Sequence, residues 1–295
     1  MFKAKHINVG LTYGGLGDAI ARAPAIKAFL EDYSHIEVTL FVFPSVIELY
    51  TEWFMTNRQV RGIYPLDEYK NLAAGELILN FDHSWYFQLG MHLTTHAYLT
   101  LALTMPSRRM PYLSLSDSDP VSYKTSNLVC ITPNFTAISR SLAPNVWQGI
   151  IRGIQELGLI PVLLGSTKSE FKGEAYVNAE PGCIDLRDKT TLLEAVAWME
   201  KSIAVIGIDN GLIHLAACTK TPIIVAYSTQ IPENRLPVRD EGSISYIVAS
   251  SECRGCETWL RFENEHNFKN CYTNSFDCVK SFSVASFINP LKELL

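Results

Sequence analysis

Short apolar runs alternate along the chain with segments whose apolar residues recur at helical spacing. The runs that predict strands are residues 7–11, 37–43, 59–64, 77–81, 128–132, 160–164, 205–208 and 223–227. The segments that predict helices are residues 18–30, 146–157 and 192–201. Strands separated by helices are typical of parallel sheets with right-handed crossovers. The pattern therefore predicts an α/β chain of two doubly wound, Rossmann-like domains that face a cleft.

A change of composition separates the two halves. Residues 106–127 are rich in proline and serine and show little periodicity, which is typical of a linker. We therefore expect an N-terminal domain at 1–115, a linker at 116–127 and a C-terminal domain at 128–295.

The segment 205–217 is the most informative stretch. It reads as a buried strand that ends at Asp209, a polar turn at Asn210 and Gly211, and a helix of small residues that begins with Leu212. The first N–H groups of a helix carry partial positive charge and attract anions. The segment predicts a diphosphate site, and His214 lies where its ring could reach the phosphates or orient Asp209.

A glycine loop follows the first predicted strand. Gly14, Gly15 and Gly17 precede Asp18, but the spacing is not that of a dinucleotide fingerprint. Asp18 can cap the following helix, or it can accept a proton from a substrate hydroxyl. Both interpretations stay open here.

Arg140 lies in the loop after strand 128–132, again at the carboxyl edge of a predicted sheet. It is either a solvated surface residue or a cation for a diphosphate leaving group. Asp117 and Asp119 form a D-x-D pattern within the predicted linker, where we interpret them as solvated turn residues.

Four of the seven cysteines cluster near the end of the chain. Cys253, Cys256, Cys271 and Cys278 have the spacing C-x2-C-x14-C-x6-C, with His266 as a spare ligand. They predict either a structural zinc site or four reduced or disulfide-paired thiols. His92 and His96 share one helical face, where packing or substrate contact is favoured over a metal pair.

Composition and charge exclude some functions. The chain has 295 residues, of which 47% are hydrophobic and 19% charged, as in ordinary globular proteins. It contains no apolar run of about 18 residues and no signal-peptide pattern, so a cytoplasmic location without membrane insertion is expected. The net charge of −5 is spread over both halves and argues against a basic nucleic-acid-binding domain.

These motifs resemble one family over most of the chain, the ADP-heptose:lipopolysaccharide heptosyltransferases and their relatives with the GT-B fold. Gly17-Asp18 with 23–27 is similar to the opening segment of that family, and 131–134 with Arg140 is similar to its phosphate loop, where a lysine usually stands. Segment 186–192 resembles the part near the nucleotide base. Segment 209–217 is the closest match, and the cysteine pattern also recurs.

The resemblance implies a role for each matching residue. Asp18 would be the general base, and the donor, a nucleotide-diphosphate sugar, would bind mainly to the C-terminal domain. The implied donor-binding residues are Asn134, Thr136, Arg140, Lys189, Thr190, Asp209, Asn210, Gly211, Leu212 and His214. Candidate acceptor contacts in the N-terminal domain are Asp82, His83, Trp85 and His92.

The implied reaction is an inverting, metal-independent sugar transfer in which zinc, if present, is structural. The acceptor is a saccharide of the lipopolysaccharide type or a hydroxymethylated base in phage DNA, which would require a patch of Arg58, Arg61, Arg108 and Arg109. A sugar-nucleotide epimerase of the same fold and a non-catalytic sugar-nucleotide-binding protein are the alternatives. The oligomeric state and the identities of the sugar and nucleotide stay open.

Overall fold

The computed structural model describes residues 4–12, 15–80, 92–101, 126–133, 138–167, 177–239, 242–256, 271 and 273–295. The chain divides into two compact units. One comprises Met1–Ser118 with Val238–Asp240, and the other comprises Asp119–Pro237 with Glu241–Leu295. Most of the predicted linker lies outside the described residues, so its boundaries stay a prediction.

The first unit contains a parallel sheet and its crossover helices. Its elements are β1 (His6–Gly10), α1 (Leu16–Asp32), β2 (Glu37–Val42), a 3₁₀ turn (Pro44–Val46), α2 (Ile47–Phe54), β3 (Val60–Pro65), a 3₁₀ helix (Leu66–Asn71), β4 (Ile78–Asn80) and α3 (Leu93–Thr100). In the described part of this unit, the strands run in the order β3-β2-β1-β4 and all pair in parallel. The predicted strands are thus present, with small shifts at their ends.

Helix α1 begins two residues earlier than the sequence pattern predicts. Gly15 lies at its N-cap, so Gly17 belongs to the first helical turn and not to a loop. The cause is local. The N–H groups at a helix start have no acceptor within the helix, and the Gly15 N–H donates instead to Asp18 Oδ2 at 2.8 Å. Gly14 lies outside the described residues.

The second unit repeats the architecture on a larger scale. Its elements are β5 (Leu128–Thr132), a 3₁₀ turn (Ile138–Arg140), α4 (Pro144–Glu156), β6 (Ile160–Leu163), β7 (Ile184–Asp185), α5 (Leu192–Glu200), β8 (Ala204–Ile208), α6 (Gly211–Ala216), β9 (Ile223–Tyr227), α7 (Pro232–Arg235), β10 (Ile244–Val248), α8 (Asp277–Lys280) and α9 (Ala285–Lys292). Among its described residues the parallel strand order is β10-β9-β8-β5-β6-β7. The sequence analysis did not predict β7 or β10, which are a two-residue strand and a partly exposed edge strand.

The core of the second unit lies between this sheet and helices α4 and α9. Strands β5, β8 and β9 are buried along their whole length, and Trp147 of α4 is fully buried. Helix α4 presents Gly153 to α9, where an added Cβ would lie 2.8 Å from Ile288. The close contact fixes both helices against the sheet, whose carboxyl edge carries the candidate residues.

No helix among the described residues is long and apolar enough to cross a membrane.

The close approach of β5 and β8 gives a prediction about stability. A Cβ added to Gly207 would overlap Thr132 Oγ1 and lie 2.7 Å from Ile213 Cδ1. We expect Gly207→Ala to lower the free energy of unfolding by about 1–3 kcal/mol, because the surrounding core is closely packed. Chemical denaturation of the purified protein measures this change. The double variant Gly207→Ala/Thr132→Ala should recover part of the loss, and a Gly207→Ala protein as stable as the wild type would contradict the packing argument.

Candidate functional site

The carboxyl edge of the second sheet brings together the ends of β5 and β8. Asn210 lies between them, where its Nδ2 donates to the Thr132 carbonyl at 2.8 Å. Its Oδ1 accepts from the Ile213 N–H at 3.0 Å, so the side chain also caps α6. The predicted turn is therefore present. Helix α6 has only six residues, and the cap takes one of its first N–H groups.

Arg140 and Asp209 form an ion pair at this edge. The distance from Arg140 Nη1 to Asp209 Oδ2 is 3.7 Å, and the two side chains are 17% and 6% exposed. Asp209 Oδ2 is buried and accepts no hydrogen bond from the residues that the structure describes. A buried carboxylate oxygen without a hydrogen bond is costly, which marks this position for explanation.

The neighbours of the ion pair are fixed by hydrogen bonds. Ser228 Oγ donates to the Ser139 carbonyl at 2.6 Å and holds the 3₁₀ turn that carries Arg140. Burial raises the pKa of the Tyr227 hydroxyl well above its ordinary value, and the negative charge of Asp209 adds to the rise. Tyr227 of β9 therefore lies close enough to Asp209 for the two groups to interact electrostatically.

Other predicted donor residues lie around the same turn. Leu212 and His214 are buried, and Gly211 is the first residue of α6. The Thr132 hydroxyl is fully buried and has no hydrogen-bond partner among the described residues. The sequence analysis placed Thr132 in the segment 131–134 that resembles the phosphate loop, but it gave this residue no role of its own. Asn134 and Thr136 lie outside the described residues.

The segment after β7 forms a second polar group at this edge. Arg187 donates to both carboxylate oxygens of Asp185, at 2.8 Å from Nε and 2.7 Å from Nη2, and lowers the pKa of that carboxyl. Lys189 Nζ donates to the Asp185 carbonyl at 2.7 Å, and Thr190 is half-buried. The predicted Lys189 is therefore held against the backbone of its own segment.

Asp188 is a residue of this segment that the sequence analysis left without a role. Its φ of 58° is unusual for a residue other than glycine. Its carboxylate accepts from Ser166 Oγ at 2.5 Å and from the Thr167 N–H at 2.9 Å. These bonds attach the start of the connection after β6 to the segment that resembles the nucleotide-base region.

The carboxyl edge of the first sheet carries Asp18. Its Oδ2 accepts the Gly15 N–H at 2.8 Å, so the capping interpretation is correct. Thr12, which follows β1, donates its hydroxyl to Asn80 at the end of β4. This pair was not predicted, although Thr12 directly follows the predicted strand 7–11 and Asn80 lies near the end of the predicted strand 77–81.

The predicted acceptor residues are only partly described. Asp82, His83 and Trp85 lie outside the described residues. His92 is the N-cap of α3, and its Nδ1 accepts from the Thr94 N–H at 3.2 Å. Arg61 pairs with Glu37 on the neighbouring strand, and Arg108 and Arg109 of the predicted basic patch are not described.

The four cysteines of the candidate metal site lie in one region. Burial raises the pKa of the Cys278 thiol to about 11, and charges on Cys253, Cys256 and Cys271 contribute to the rise. Burial also acts to raise the pKa of Cys271, but hydrogen bonds from the Thr273 hydroxyl and from backbone N–H groups outweigh it, so that pKa is lowered. The Phe276 N–H donates to Cys271 Sγ at 3.3 Å.

Two backbone features shape the loops that carry these thiols. Gly255 has a φ of 75° between Cys253 and Cys256, and its N–H donates to the Ser228 carbonyl at 3.0 Å. Even so, no group of three or more His, Cys, Asp or Glu side chains in the described part of the chain is arranged to hold a metal ion. The four thiols share a region, but their sulfur atoms do not form a closed site. His266 is not described.

Comparison with known proteins agrees with the resemblance. Residues 99–258 match the family model described as "Glycosyltransferase family 9 (heptosyltransferase)". Lipooligosaccharide heptosyltransferase 2 of Haemophilus influenzae is 34% identical over 96 residues, which cover 31% of this chain. The aligned segment spans only 28% of the length of that relative.

Solved structures establish the fold. TibC, an iron-containing dodecameric glycosyltransferase from enterotoxigenic E. coli, superposes with a TM-score of 0.79 at 18% identity and covers 99% of this chain and 77% of its own. TibC has also been solved in complex with ADP-D-β-D-heptose. The E. coli ADP-heptose LPS heptosyltransferase II superposes with a TM-score of 0.62 at 14% identity, over 82% of this chain and 92% of its own. The predicted fold class, two Rossmann-like domains of the GT-B type, is confirmed.

The two bonds of Asn210 give a prediction about the site. Asn210→Ala removes the acceptor for the Ile213 N–H and the donor to the Thr132 carbonyl, so we expect a loss of about 1–2 kcal/mol in the free energy of unfolding. Asn210→Ser keeps an acceptor for the cap and should lose less. Chemical denaturation of the three proteins measures both effects, and equal stability of Asn210→Ala and the wild type would show that the turn does not depend on these bonds.

Proposed function

The chain belongs to glycosyltransferase family 9, and from this premise we propose that it transfers a sugar from a nucleotide-diphosphate sugar to an acceptor hydroxyl. The observation that carries the proposal is the pairing of Arg140 with Asp209 beside the capped turn at Asn210. A cation, backbone N–H groups and a buried carboxylate are together suited to a ligand that has both phosphates and hydroxyl groups.

The donor binds at the carboxyl edge of the second sheet. In α/β proteins with parallel sheets, ligands bind at this edge because the loops and helix starts converge there. Arg140 contacts the diphosphate, and Gly211 and Leu212 begin the helix whose N–H groups face the same edge. Segment 185–190 lies at the end of β7 and supports the nucleoside, with Lys189 and Thr190 as its polar groups.

Asp18 accepts the proton of the acceptor hydroxyl. The hydrogen bond from the Gly15 N–H holds its carboxylate at the start of α1. An ionised carboxylate has several acceptor positions on two oxygens, so capping a helix is compatible with accepting a proton. The deprotonated oxygen attacks the anomeric carbon, and the bond from that carbon to the phosphate oxygen breaks with its electron pair left on the diphosphate.

A single displacement of this kind inverts the anomeric configuration. Arg140 and the N–H groups of α6 supply positive charge to the departing diphosphate. An arginine forms two parallel hydrogen bonds to a phosphate, which a lysine cannot do, so it suits this role. The proposal therefore needs no metal ion for the leaving group. The family match also favours transfer over the epimerase and the non-catalytic binding protein.

We propose a saccharide acceptor. Of the predicted basic patch, the structure describes the exposed Arg58 and Arg61, and Arg61 is paired with Glu37 on the surface. A paired cation contributes little to the attraction of a nucleic-acid backbone, which depends on phosphate contacts. His92 is the N-cap of α3, where its Nδ1 accepts from the Thr94 N–H. A hydroxymethylated DNA base is kept as a comparison acceptor in the experiment below.

Asp18→Asn tests the proposed reaction. Asparagine retains an oxygen for the Gly15 N–H, so the fold should be kept. It cannot take a proton at neutral pH, so it cannot act as a general base. We expect transfer to fall by a factor of about 100 or more, because general-base catalysis contributes that much. Donor binding should be unchanged. Thermal shift with a panel of nucleotide sugars identifies the donor, and mass spectrometry with glycan and DNA acceptors measures transfer.

Asp32→Asn is the matched control, since it changes the same residue type at the exposed far end of α1. It should transfer at the wild-type rate. Near-wild-type transfer by Asp18→Asn would show that another group is the base. Failure of the wild-type protein to bind any nucleotide sugar would contradict the proposed function as a whole.

We also propose that the four cysteines bind a structural metal ion. The donor chemistry fits, since four thiolates suit zinc or iron. The N–H···S bond to Cys271 supports a thiolate, and Gly255 shapes the loop of the first pair. The sulfur positions do not close around an ion, so binding requires them to move together. TibC, which is described as iron-containing, makes iron a candidate beside zinc. No step of the transfer reaction depends on this ion.

Elemental analysis of protein purified without chelators tests the metal proposal. We expect about one equivalent of zinc or iron per chain, lost together with thermal stability in Cys256→Ser, because such sites contribute folding free energy. Cys183→Ser, which changes a cysteine outside the cluster, should keep the metal. Less than about half an equivalent in the wild type would count against the site.

A further inference from the structure

One face of the first sheet carries aromatic rings at its carboxyl edge. Phe41 of β2 pairs with Gly10 of β1 on one side and with Tyr64 of β3 on the other. Gly10 also pairs with Asn80 of β4. Paired residues of neighbouring parallel strands point to the same face, and these residues are the last or next-to-last of their strands. The row therefore lies at the edge of the sheet that also carries Asp18.

Two glycines on this face make room for tyrosine rings. A Cβ added to Gly62, which lies two residues before Tyr64, would overlap the ring of that tyrosine. A Cβ added to Gly10 would lie 2.5 Å from the ring of Tyr69, which comes from the 3₁₀ helix 66–71. Glycine within a strand often marks a place where another group approaches the backbone closely. Both rings therefore occupy the space that a side chain at these two positions would need.

The three rings of Phe41, Tyr64 and Tyr69 form a continuous surface, which we call the aromatic patch. The ring centroids of Phe41 and Tyr64 are 5.9 Å apart with their planes tilted by 32°, and those of Phe41 and Tyr69 are 5.5 Å apart in an edge-to-face contact. Phe41 is only 4% exposed, whereas Tyr64 is 42% exposed. Tyr64 is thus held in place by Gly62 and Phe41 while a large part of it faces solvent. A ring that is already held in place loses little conformational entropy when it binds a ligand.

The polar groups next to the aromatic patch are mainly negative or neutral. Asp67 and Glu68 are exposed on the 3₁₀ helix 66–71, and Lys70 is the positive residue of that helix. Asn80, also exposed, ends the row on the side of β4. Carboxylates accept hydrogen bonds from hydroxyl groups, and an amide can both donate and accept them. The same carboxylates repel phosphate groups, so this surface suits an uncharged ligand with many hydroxyl groups.

We propose that the aromatic patch binds a neutral sugar ring of the acceptor. The proposal rests on the proposed function and specifies its acceptor as an uncharged saccharide rather than a phosphorylated one. The C–H groups on one face of the sugar ring pack against Tyr64, and the hydroxyl groups bond to the neighbouring amide and carboxylates. Sites of this kind combine apolar and aromatic surface with a few polar groups that set orientation. The sugar binds at the edge where Asp18 takes the hydroxyl proton.

Saturation-transfer NMR of the wild-type protein tests this site directly. The probes are the methyl glycosides of glucose, galactose, mannose and heptose. We expect the hydrogens on one face of the sugar ring to receive more saturation, because that face packs on the tyrosine. A phosphate ester of glucose should bind more weakly than methyl glucoside at low ionic strength.

Three outcomes of this measurement overturn the proposal. One is the absence of a signal from every glycoside, and another is tighter binding of the phosphate ester. The third is tighter binding of hydroxymethyl-deoxycytidine than of any glycoside, since the patch would then stack a base.

Three variants connect the signal to the tyrosine ring. We expect Tyr64→Ala to raise the dissociation constant of the bound glycoside about fivefold, because the stacked ring is lost. Tyr64→Phe keeps the ring and should stay within about twofold of the wild type. Gly62→Ala keeps the tyrosine but displaces its ring, so it should weaken binding as much as Tyr64→Ala. Wild-type affinity in Tyr64→Ala contradicts the proposal.

Tyr246→Ala is the matched control. It removes a tyrosine that is 53% exposed on β10, an edge strand of the second sheet, and should bind the glycosides like the wild type. A loss equal to that of Tyr64→Ala would show that the effect is not specific to the patch, and the proposal would be wrong. All these variants should bind nucleotide sugars like the wild type, which also shows that they are folded. Failure of the wild type to bind any nucleotide sugar would instead contradict the proposed function.

Discussion

The junction between the ends of β5 and β8 is the constraint on which the ion pair of Arg140 and Asp209 depends. Gly207 lies so close to Thr132 that no side chain fits between the two strands. Beyond this contact, Asn210 bonds to the Thr132 carbonyl and caps α6. The same asparagine therefore fixes the spacing of the two strands and the direction of the helix. If this junction moved, Arg140 and Asp209, which follow β5 and β8, would move apart.

The ion pair at this edge combines opposite contributions in a small space. Arg140 carries a positive charge and Asp209 a negative charge, and their side chains are only 17% and 6% exposed. Asp209 Oδ2 accepts no hydrogen bond from the residues that the structure describes. A buried carboxylate oxygen without such a bond is unfavourable for stability, so its place at this edge fits the donor-binding role that we propose for it.

Asp18 shows how one side chain can serve the fold and a proposed reaction together. Its bond to the Gly15 N–H starts α1 two residues earlier than the apolar pattern indicates, and it keeps the carboxylate oriented. The capping and catalytic interpretations that the sequence left open are therefore compatible, because a carboxylate has two oxygens. His92 is a second residue of this kind. The sequence predicts it as a substrate contact, and the structure shows it as the N-cap of α3.

The sequence by itself determined the alternation of strands and helices, the order of the two halves and the turn at Asn210. These features depend on local periodicity and on residues with strong turn preferences, so a single segment is enough to reveal them. The edge strand β10 escaped prediction because its half-exposed residues carry a weak apolar signal. Only the tertiary structure decided that Arg140 meets Asp209, that Thr132 is buried beside Gly207 and that Asp188 holds Thr167. These pairs join residues that are 21 to 75 positions apart, and strand order, which no local pattern encodes, brings them together.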